Sequence, residues 1–125
     1  MNDRFKFRVF LKYNQIMYDI DSYCFLQGLN KCVFHFTNGG QKTLKNDDFI
    51  IMQCTGLEDK NGKLIYEGDI VEDALMNRFT ITFNEEYLSY LLTNIKTNEQ
   101  MVFYPNIKLE VIGNIYENPE LLEVE

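Results

Sequence analysis

The N-terminal part of the chain alternates between apolar and charged residues, which predicts a half-buried β-strand over residues 4–12. Successive side chains of a strand point to opposite faces. The face that is predicted to be buried carries Phe5, Phe7, Val9 and Leu11. The opposite face carries the basic residues Arg4, Lys6, Arg8 and Lys12, with Phe10 as its one apolar member. We expect this basic face to be exposed to solvent.

The same pattern recurs along the chain and indicates a mainly β protein. Residues 78–83 and 107–111 alternate as cleanly as the first segment. Residues 85–92 fit a helical stripe or a strand face, and the neighbouring β segments favour the strand. Short strands with frequent turn signals are typical of a small barrel or sandwich of antiparallel strands. We expect one domain over residues 1–125, in which an N-terminal β subdomain (1–50) packs on a central and C-terminal β barrel (51–125).

Residues 52–71 form the most structured stretch of the sequence, with glycines six residues apart at positions 56, 62 and 68. Residues 59–62 read DKNG, and Asn-Gly between β segments predicts a hairpin turn. Gly68 interrupts a strand pattern, which indicates a bulge or a sharp bend.

The C-terminal end is predicted to form a short helical turn. Asn118 is a favourable N-cap residue, Pro119 suits the first helical position and Glu120 suits a helix N-terminus. From Glu110 onward the chain carries acidic side chains and no basic one. We expect this acidic end to be solvated.

Composition narrows the class of protein. The formal net charge is −7, which argues against binding nucleic acid through a general basic surface, since phosphate contacts require Lys and Arg. The three cysteines, with no CxxC motif, predict reduced thiols in a cytosolic protein. No apolar run predicts a signal peptide or a membrane span, so we expect a soluble protein of the bacterial cytoplasm.

Three segments carry a family resemblance. Residues 53–71 contain TGL, DKNG and IYEGDIV; residues 111–122 read VIGNIYENPELL; a weaker match runs from residue 5 to residue 17. Together they resemble the YopX family of small phage and prophage proteins. Cys54 stands where the family commonly has an aromatic residue, and Phe10 where it commonly has Trp. The resemblance implies a largely β, oligomeric protein of phages or prophages of Gram-positive bacteria, with no generally assigned activity. The family-motif turn residues are Gly56, Asp59, Asn61, Gly62, Tyr66, Glu67, Gly68 and Asp69.

Candidate chemistry is sparse, and no catalytic residue, metal ligand or cofactor is predicted. Aligning residues 59–62 with a calcium-binding loop leaves both key ligand positions without a carboxylate. Glu67 and Asp69 would share one face of a regular strand, where acid–base or Mg²⁺ chemistry is conceivable. Gly68 favours a turn instead, in which Asp69 bonds backbone amides. His35, the one histidine, has no candidate nucleophile nearby in sequence.

The leading hypothesis is a non-enzymatic accessory protein that self-associates and binds a host or phage protein. One alternative is a nucleic-acid-associated protein that uses the basic face of Arg4, Lys6, Arg8 and Lys12. Another is an acidic protein that mimics DNA through its C-terminal carboxylates. A small hydrolase that uses Glu67 and Asp69 is the enzymatic alternative. None of these hypotheses involves a membrane.

Overall fold

A computed structural model describes residues 5–105 and 107–123, which form eleven strands in two antiparallel sheets. The strands of the first sheet are β1 (Phe7–Leu11), β2 (Ile16–Leu26), β3 (Lys31–Phe36), β4 (Gln41–Lys45), β5 (Phe49–Glu58) and β6 (Leu64–Tyr66). Those of the second are β7 (Asp69–Glu72), β8 (Arg78–Asn84), β9 (Ser89–Asn94), β10 (Gln100–Val102) and β11 (Glu110–Asn114).

The architecture is that of a sandwich. The first sheet has the order β4-β3-β2-β1-β5-β6 and the second has the order β10-β9-β8-β7-β11. The prediction of a mainly β protein is confirmed. Of the two predicted architectures, a barrel or a sandwich, the sandwich is correct, because the sheets do not close into a barrel. The division at residue 50 stays a prediction; the chain changes sheets between β6 and β7.

The described residues form two hydrophobic clusters. The first contains Val9, Leu11, Ile20, Cys32, Phe34 and Phe49, which are contributed by β1, β2, β3 and β5. The second contains Ile65, Val71, Phe79, Ile81, Leu92 and Leu109, and therefore includes β6 of the first sheet. Burial of these side chains supplies the main driving force for folding.

Strand β1 is central in its sheet and is buried on both faces. It pairs with β2 on one side and with β5 on the other. Val9 and Leu11 belong to the first hydrophobic cluster, whereas Arg8 and Phe10, on the opposite face, are also buried. This second face of β1 contacts the C-terminal half of the chain: Arg8 reaches Asp69 of β7, and Phe10 stacks on Tyr116 with 5.2 Å between ring centroids.

Two predicted strands begin later in the structure than the sequence pattern indicates. The strand predicted over residues 107–111 begins at Glu110, since the carbonyl of Leu109 accepts a hydrogen bond from the amide of Lys60 in the central turn. In the ambiguous segment 85–92 the strand prediction is correct from Ser89 onward, where β9 begins.

The predicted helical turn is a 3₁₀ turn, Pro119–Leu122. The side chain of Asn118 does not cap it, because Asn118 Oδ1 accepts a hydrogen bond from the amide of Asn114 instead. A second 3₁₀ turn spans Asn46–Asp48. Within the described residues, no helix is long and apolar enough to cross a membrane.

Phe34 provides a test of the first core. Its ring is fully buried and packs edge-on against Phe49, with 4.7 Å between the centroids. We expect Phe34→Ala to lower the free energy of unfolding in urea by about 3–5 kcal/mol, since it removes buried apolar surface and leaves a cavity. The matched control is Phe25→Ala, at a ring that is 53% exposed, for which the loss should be clearly smaller. Equal losses would contradict this assignment of the core.

Candidate functional site

The turn of residues 66–69 joins the two sheets, because it leads from β6 directly into β7. Gly68 has a φ of +88°, a conformation that side chains disfavour. Its amide donates to the carbonyl of Ile81, and its own carbonyl accepts from the amide of Ile115. A Cβ at this position would lie 3.0 Å from Met52 Sδ, so the turn requires glycine for both backbone and space.

A buried ion pair anchors this turn to β1. Arg8 Nη2 lies 2.8 Å from Asp69 Oδ1, and the two side chains are 10% and 2% exposed. The same nitrogen donates to the backbone carbonyl of Glu67 at 3.2 Å. The guanidinium stands over the ring of Tyr66, 4.7 Å from its centroid, and Asp69 Oδ2 accepts from the Tyr66 amide at 2.8 Å.

The electrostatics of this pair reflect its burial. Burial raises the pKa of Asp69, against the opposing effects of the Arg8 guanidinium and the Tyr66 amide. Burial also raises the pKa of the Tyr66 phenol, to about 12. Among the described residues, Arg8 Nε is a buried polar atom without a hydrogen-bond partner. Desolvation therefore offsets much of the attraction, and the pair acts mainly by fixing the position of the turn.

The basic residues that were predicted to share one exposed face of the first strand differ in their burial. Arg8 does not face solvent but is buried against Asp69, so its assignment to a solvated face is wrong. Lys6 and Lys12 are exposed, and Arg4 lies outside the described residues. Phe10 could have indicated that Arg8 is buried, because an apolar residue on the same face of the strand suggests that this part of the face is covered.

Glu67 and Asp69 do not form a carboxylate pair. Asp69 is enclosed by Arg8 and the Tyr66 amide, whereas Glu67 is half-buried and lines a cavity with Met52 and Tyr116. Burial raises the pKa of Glu67, and the Gln53 amide and Arg8 oppose that effect. The arrangement gives no support to shared acid–base or Mg²⁺ chemistry.

Glu67 lies near two tyrosines, Tyr90 and Tyr116. Burial first, and then the negative charge of Glu67, raise the pKa of Tyr90. The same two causes raise the pKa of Tyr116, and Arg8 opposes them. The carboxylate is therefore flanked by aromatic side chains in a partly desolvated setting.

Two cavities have residues of both β5 and β8 in their linings. The smaller, of about 220 Å³, includes Met52, Glu67 and Thr82. The larger, of about 510 Å³, includes Gln53 and Phe83. The two linings share no residue, and successive side chains of a strand point to opposite faces, so we treat the cavities separately.

The hairpin turn after β5 is organised by Asp59, whose side chain is buried. Its Oδ1 accepts from the amides of Asn61 and Lys63 at 2.8 and 2.9 Å, and its Oδ2 accepts from the amide of Val111 at 3.0 Å. Burial raises the pKa of Asp59, but these three amides more than offset that effect, so the pKa lies below 3.8. Asp59 thus joins the turn to β11.

The two remaining turn glycines adopt the left-handed conformation. Gly62 closes the hairpin with a φ of +83°, and its amide donates to the carbonyl of Asp59. Gly56 has a φ of +85° and lies within β5, where the pairing with β6 is irregular. Together with Gly68, they bend the chain at each of the three equally spaced positions.

A second side-chain turn, which the sequence interpretation did not single out, follows β11. Asn114 is buried, and its Oδ1 accepts from the amides of Tyr116 and Glu117 at 3.0 and 2.8 Å. This turn presents the Tyr116 ring to Phe10. The Asn residue in the C-terminal motif could have predicted this turn, since an Asn side chain readily accepts hydrogen bonds from amides two or three residues ahead.

Of the remaining candidate residues, Cys54 lies next to this region, where it pairs with Tyr66 across β5 and β6. Cys24 is exposed, and Cys32 and Cys54 are buried. His35 is exposed on β3. Within the part of the chain that the structure describes, no three His, Cys, Asp or Glu side chains are grouped to hold a metal ion.

Comparison with known proteins agrees with the family resemblance. The model of the YopX protein family matches residues 6–123. A crystal structure of protein EF1440 from Enterococcus faecalis superposes with a TM-score of 0.63 and 24% identity, over 94% of this chain and 97% of that one. The crystal structure of YopX from Bacillus subtilis gives a TM-score of 0.61 and 21% identity, over 98% and 100%. No curated protein matches the sequence. At these identities the two structures establish the fold alone.

The buried ion pair predicts a large effect of a conservative change. We expect Asp69→Asn to lower the free energy of unfolding by about 3–5 kcal/mol, because it leaves the Arg8 charge buried without its partner. The matched control is Glu110→Gln, which breaks the exposed Lys60–Glu110 pair and should cost about 0–1 kcal/mol. Urea unfolding at pH 7 measures both. A loss for Asp69→Asn no larger than that of the control would show that the pair does not anchor the turn.

Asp59 predicts a pH-dependent contribution to stability. Because its pKa is lower in the folded protein than the ordinary 3.8, the ionised form stabilises the fold at pH values above 3.8. That contribution is lost as the pH falls through the folded-state pKa. We expect Asp59→Asn to cost about 1–3 kcal/mol at pH 7 and progressively less below pH 3.8. Urea unfolding of the unmodified protein and of Asp59→Asn across this pH range measures the effect. A difference in their free energies of unfolding that does not change with pH would rule out the ionised form as the stabilising species.

Proposed function

This chain belongs to the YopX family, and from that premise we propose that it is a phage- or prophage-encoded accessory protein of the host cytoplasm. It acts as a non-enzymatic, self-associating module that binds a protein partner. The observation that carries the proposal is an uncharged and exposed sheet edge at β10, which includes Met101 and Val102. An edge strand offers unpaired backbone groups, which a second strand can pair with.

The β10 edge is exposed along its whole length. Its three residues, Gln100, Met101 and Val102, pair with β9 on one side, and β10 is the terminal strand of its sheet. Met101 is 42% exposed and Val102 is 55% exposed, and neither is charged. An added strand would therefore gain backbone hydrogen bonds and apolar contact together.

Two of the three other terminal strands, β4 and β11, carry features that discourage pairing. The edge strand β4 contains Lys42 and Lys45, and lysines protect sheet edges from association. The edge strand β11 begins with Glu110 and has an irregular register between Val111 and Gly113. The contrast supports β10 as the associating edge.

The second sheet and its connections carry further exposed apolar residues. They lie at the end of β8, in the connection that follows it, and after β10: Phe83, Tyr87, Leu88 and Tyr104. Aromatic residues are enriched at protein interfaces, and contiguous exposed apolar surface marks interaction sites. Together with β10, these residues form the proposed association surface.

The alternatives gain less support from the structure. The basic face proposed for nucleic-acid binding loses Arg8 to the buried pair with Asp69, which leaves Lys6 and Lys12 as its exposed members within the described residues. The hydrolase hypothesis loses its carboxylate pair, because Asp69 is enclosed while Glu67 faces a separate cavity. We therefore keep the protein-binding module as the proposal.

The association surface gives a direct test. We expect light scattering to show an oligomer for the unmodified protein, and Val102→Lys to lower the oligomer mass at the same protein concentration, because a lysine opposes pairing at an edge. The matched control is Leu29→Lys, which places the same charge at a residue that is 62% exposed in the β2–β3 connection. The control should keep the oligomer mass. A monomeric unmodified protein, or an equal effect of both variants, would contradict the proposal.

A further inference from the structure

The smaller of the two cavities has mainly aliphatic walls, which come from both sheets. Strand β5 of the first sheet contributes Ile50 and Met52, and β8 of the second contributes Ile81. Gly68 and Ile115, which lie in turns, also belong to the lining. The volume is about 220 Å³. Since an apolar cavity of about 150 Å³ holds a molecule such as benzene, this one has room for a small organic molecule.

Glu67 is the one charged residue among the described residues that line this cavity. The side chain is half-buried, and the backbone amide of Gln53 stabilises its ionised form. Within the described parts of the chain, no cationic side chain forms an ion pair with Glu67. A carboxylate in such a setting is screened less by water than an exposed one, and it therefore attracts a cation more strongly.

Two further polar side chains line the same cavity. The phenol of Tyr116 lies near the Glu67 carboxylate, whose charge, after burial, contributes to its raised pKa. Its ring is held by stacking on Phe10, with 5.2 Å between the centroids. Thr82 is exposed and adds a hydroxyl group to the lining. An ammonium group has three donors for such oxygen atoms, and an aromatic face attracts its charge.

We propose that this cavity binds a small primary amine in its ammonium form. The ammonium group pairs with the Glu67 carboxylate, and the apolar body of the molecule lies against Ile50, Met52 and Ile81. The inference goes beyond the proposed function, because the cavity shares no residue with the association surface around β10.

Other ligand classes fit this lining less well. An anion is opposed by Glu67 and by the formal net charge of −7. A divalent metal ion requires several oxygen ligands, whereas the cavity offers one carboxylate. A neutral apolar molecule would desolvate that carboxylate without giving it a partner. The nearby Arg8 does not neutralise it, since the guanidinium pairs with Asp69 and reaches only the backbone carbonyl of Glu67.

Glu67→Gln is the central variant of the test, and we expect it to fold. Because burial raises the folded-state pKa of Glu67 above 4.5, its ionised form is less favourable in the folded protein than in the unfolded chain. The variant should therefore melt at a higher temperature than the unmodified protein at pH 7. This gain should vanish as the pH falls below 4.5, where the carboxyl is protonated in both states.

The binding test compares benzylamine, which is charged at pH 7, with benzyl alcohol, which has nearly the same shape and no charge. Amide chemical shifts of ¹⁵N-labelled protein follow each titration. We expect benzylamine to shift the amides of Glu67, Gly68 and Ile115. It should bind roughly tenfold more tightly than benzyl alcohol, as one charge-assisted hydrogen bond provides. Glu67→Gln should remove that preference.

Two variants separate the charge of Glu67 from other effects. Glu99→Gln removes one negative charge at an exposed site in the β9–β10 connection and should retain the preference for benzylamine. Thr82→Phe places a larger side chain at the exposed part of the lining and should weaken the binding of both compounds. Equal binding of the two compounds, shifts located away from the cavity, or no binding by the unmodified protein would overturn the inference.

An ammonium group also ends every lysine side chain, so acetyl-lysine-amide is the third compound in the titrations. It carries the same charge as benzylamine on a capped residue that represents a partner protein. We expect it to bind more weakly than benzylamine, because the cavity is small and mainly apolar. Tighter binding of acetyl-lysine-amide would overturn the assignment of the cavity to a free small molecule.

Discussion

The contact between Arg8 and Asp69 is the constraint on which the rest of the structure depends. The ion pair lies outside both hydrophobic clusters, where β1 meets the turn that leads into β7, and the second cluster includes Ile65 of the first sheet. Hydrophobic packing is non-directional. A buried charge pair constrains the relative positions of its partners more strongly, since any displacement leaves a desolvated charge without its partner. The pair therefore supplies the specificity of the arrangement, while the two clusters supply most of its stability.

Features around the pair depend on the position that it fixes. Gly68 reaches the carbonyl of Ile81 and the amide of Ile115 only if the turn lies against β1 and Met52. Asp69 is held in the interior by Arg8, whereas Glu67 lines a cavity with Met52 and Tyr116. One short motif thus contributes both the anchor between the sheets and the charged residue of this cavity.

Local patterns predict much of this fold, and long-range pairing accounts for the remainder. Alternation at residues 78–83 correctly indicates β8, and Asn-Gly at 61–62 correctly indicates a turn, since both signals arise from neighbours in the chain. The role of Arg8 is not readable in this way, because its partner is 61 residues away and a basic residue on a strand usually faces water. The start of β11 differs for a similar reason, as Leu109 is bonded to Lys60 of a distant turn. The candidate site was recognisable as the motif of residues 66–69, but which carboxylate is enclosed and which lines a cavity depends on the packing of β1.

The most direct test of this account is a double-mutant cycle on Arg8→Met and Asp69→Leu, measured as free energies of unfolding in urea. If the pair fixes the two sheets, each single variant leaves a buried charge alone, whereas the double variant leaves none. The account predicts that the double variant is more stable than either single one, so that the two effects are far from additive. Additive losses, with the double variant the least stable of the three, would contradict the claim that the Arg8–Asp69 pair determines how the sheets are joined.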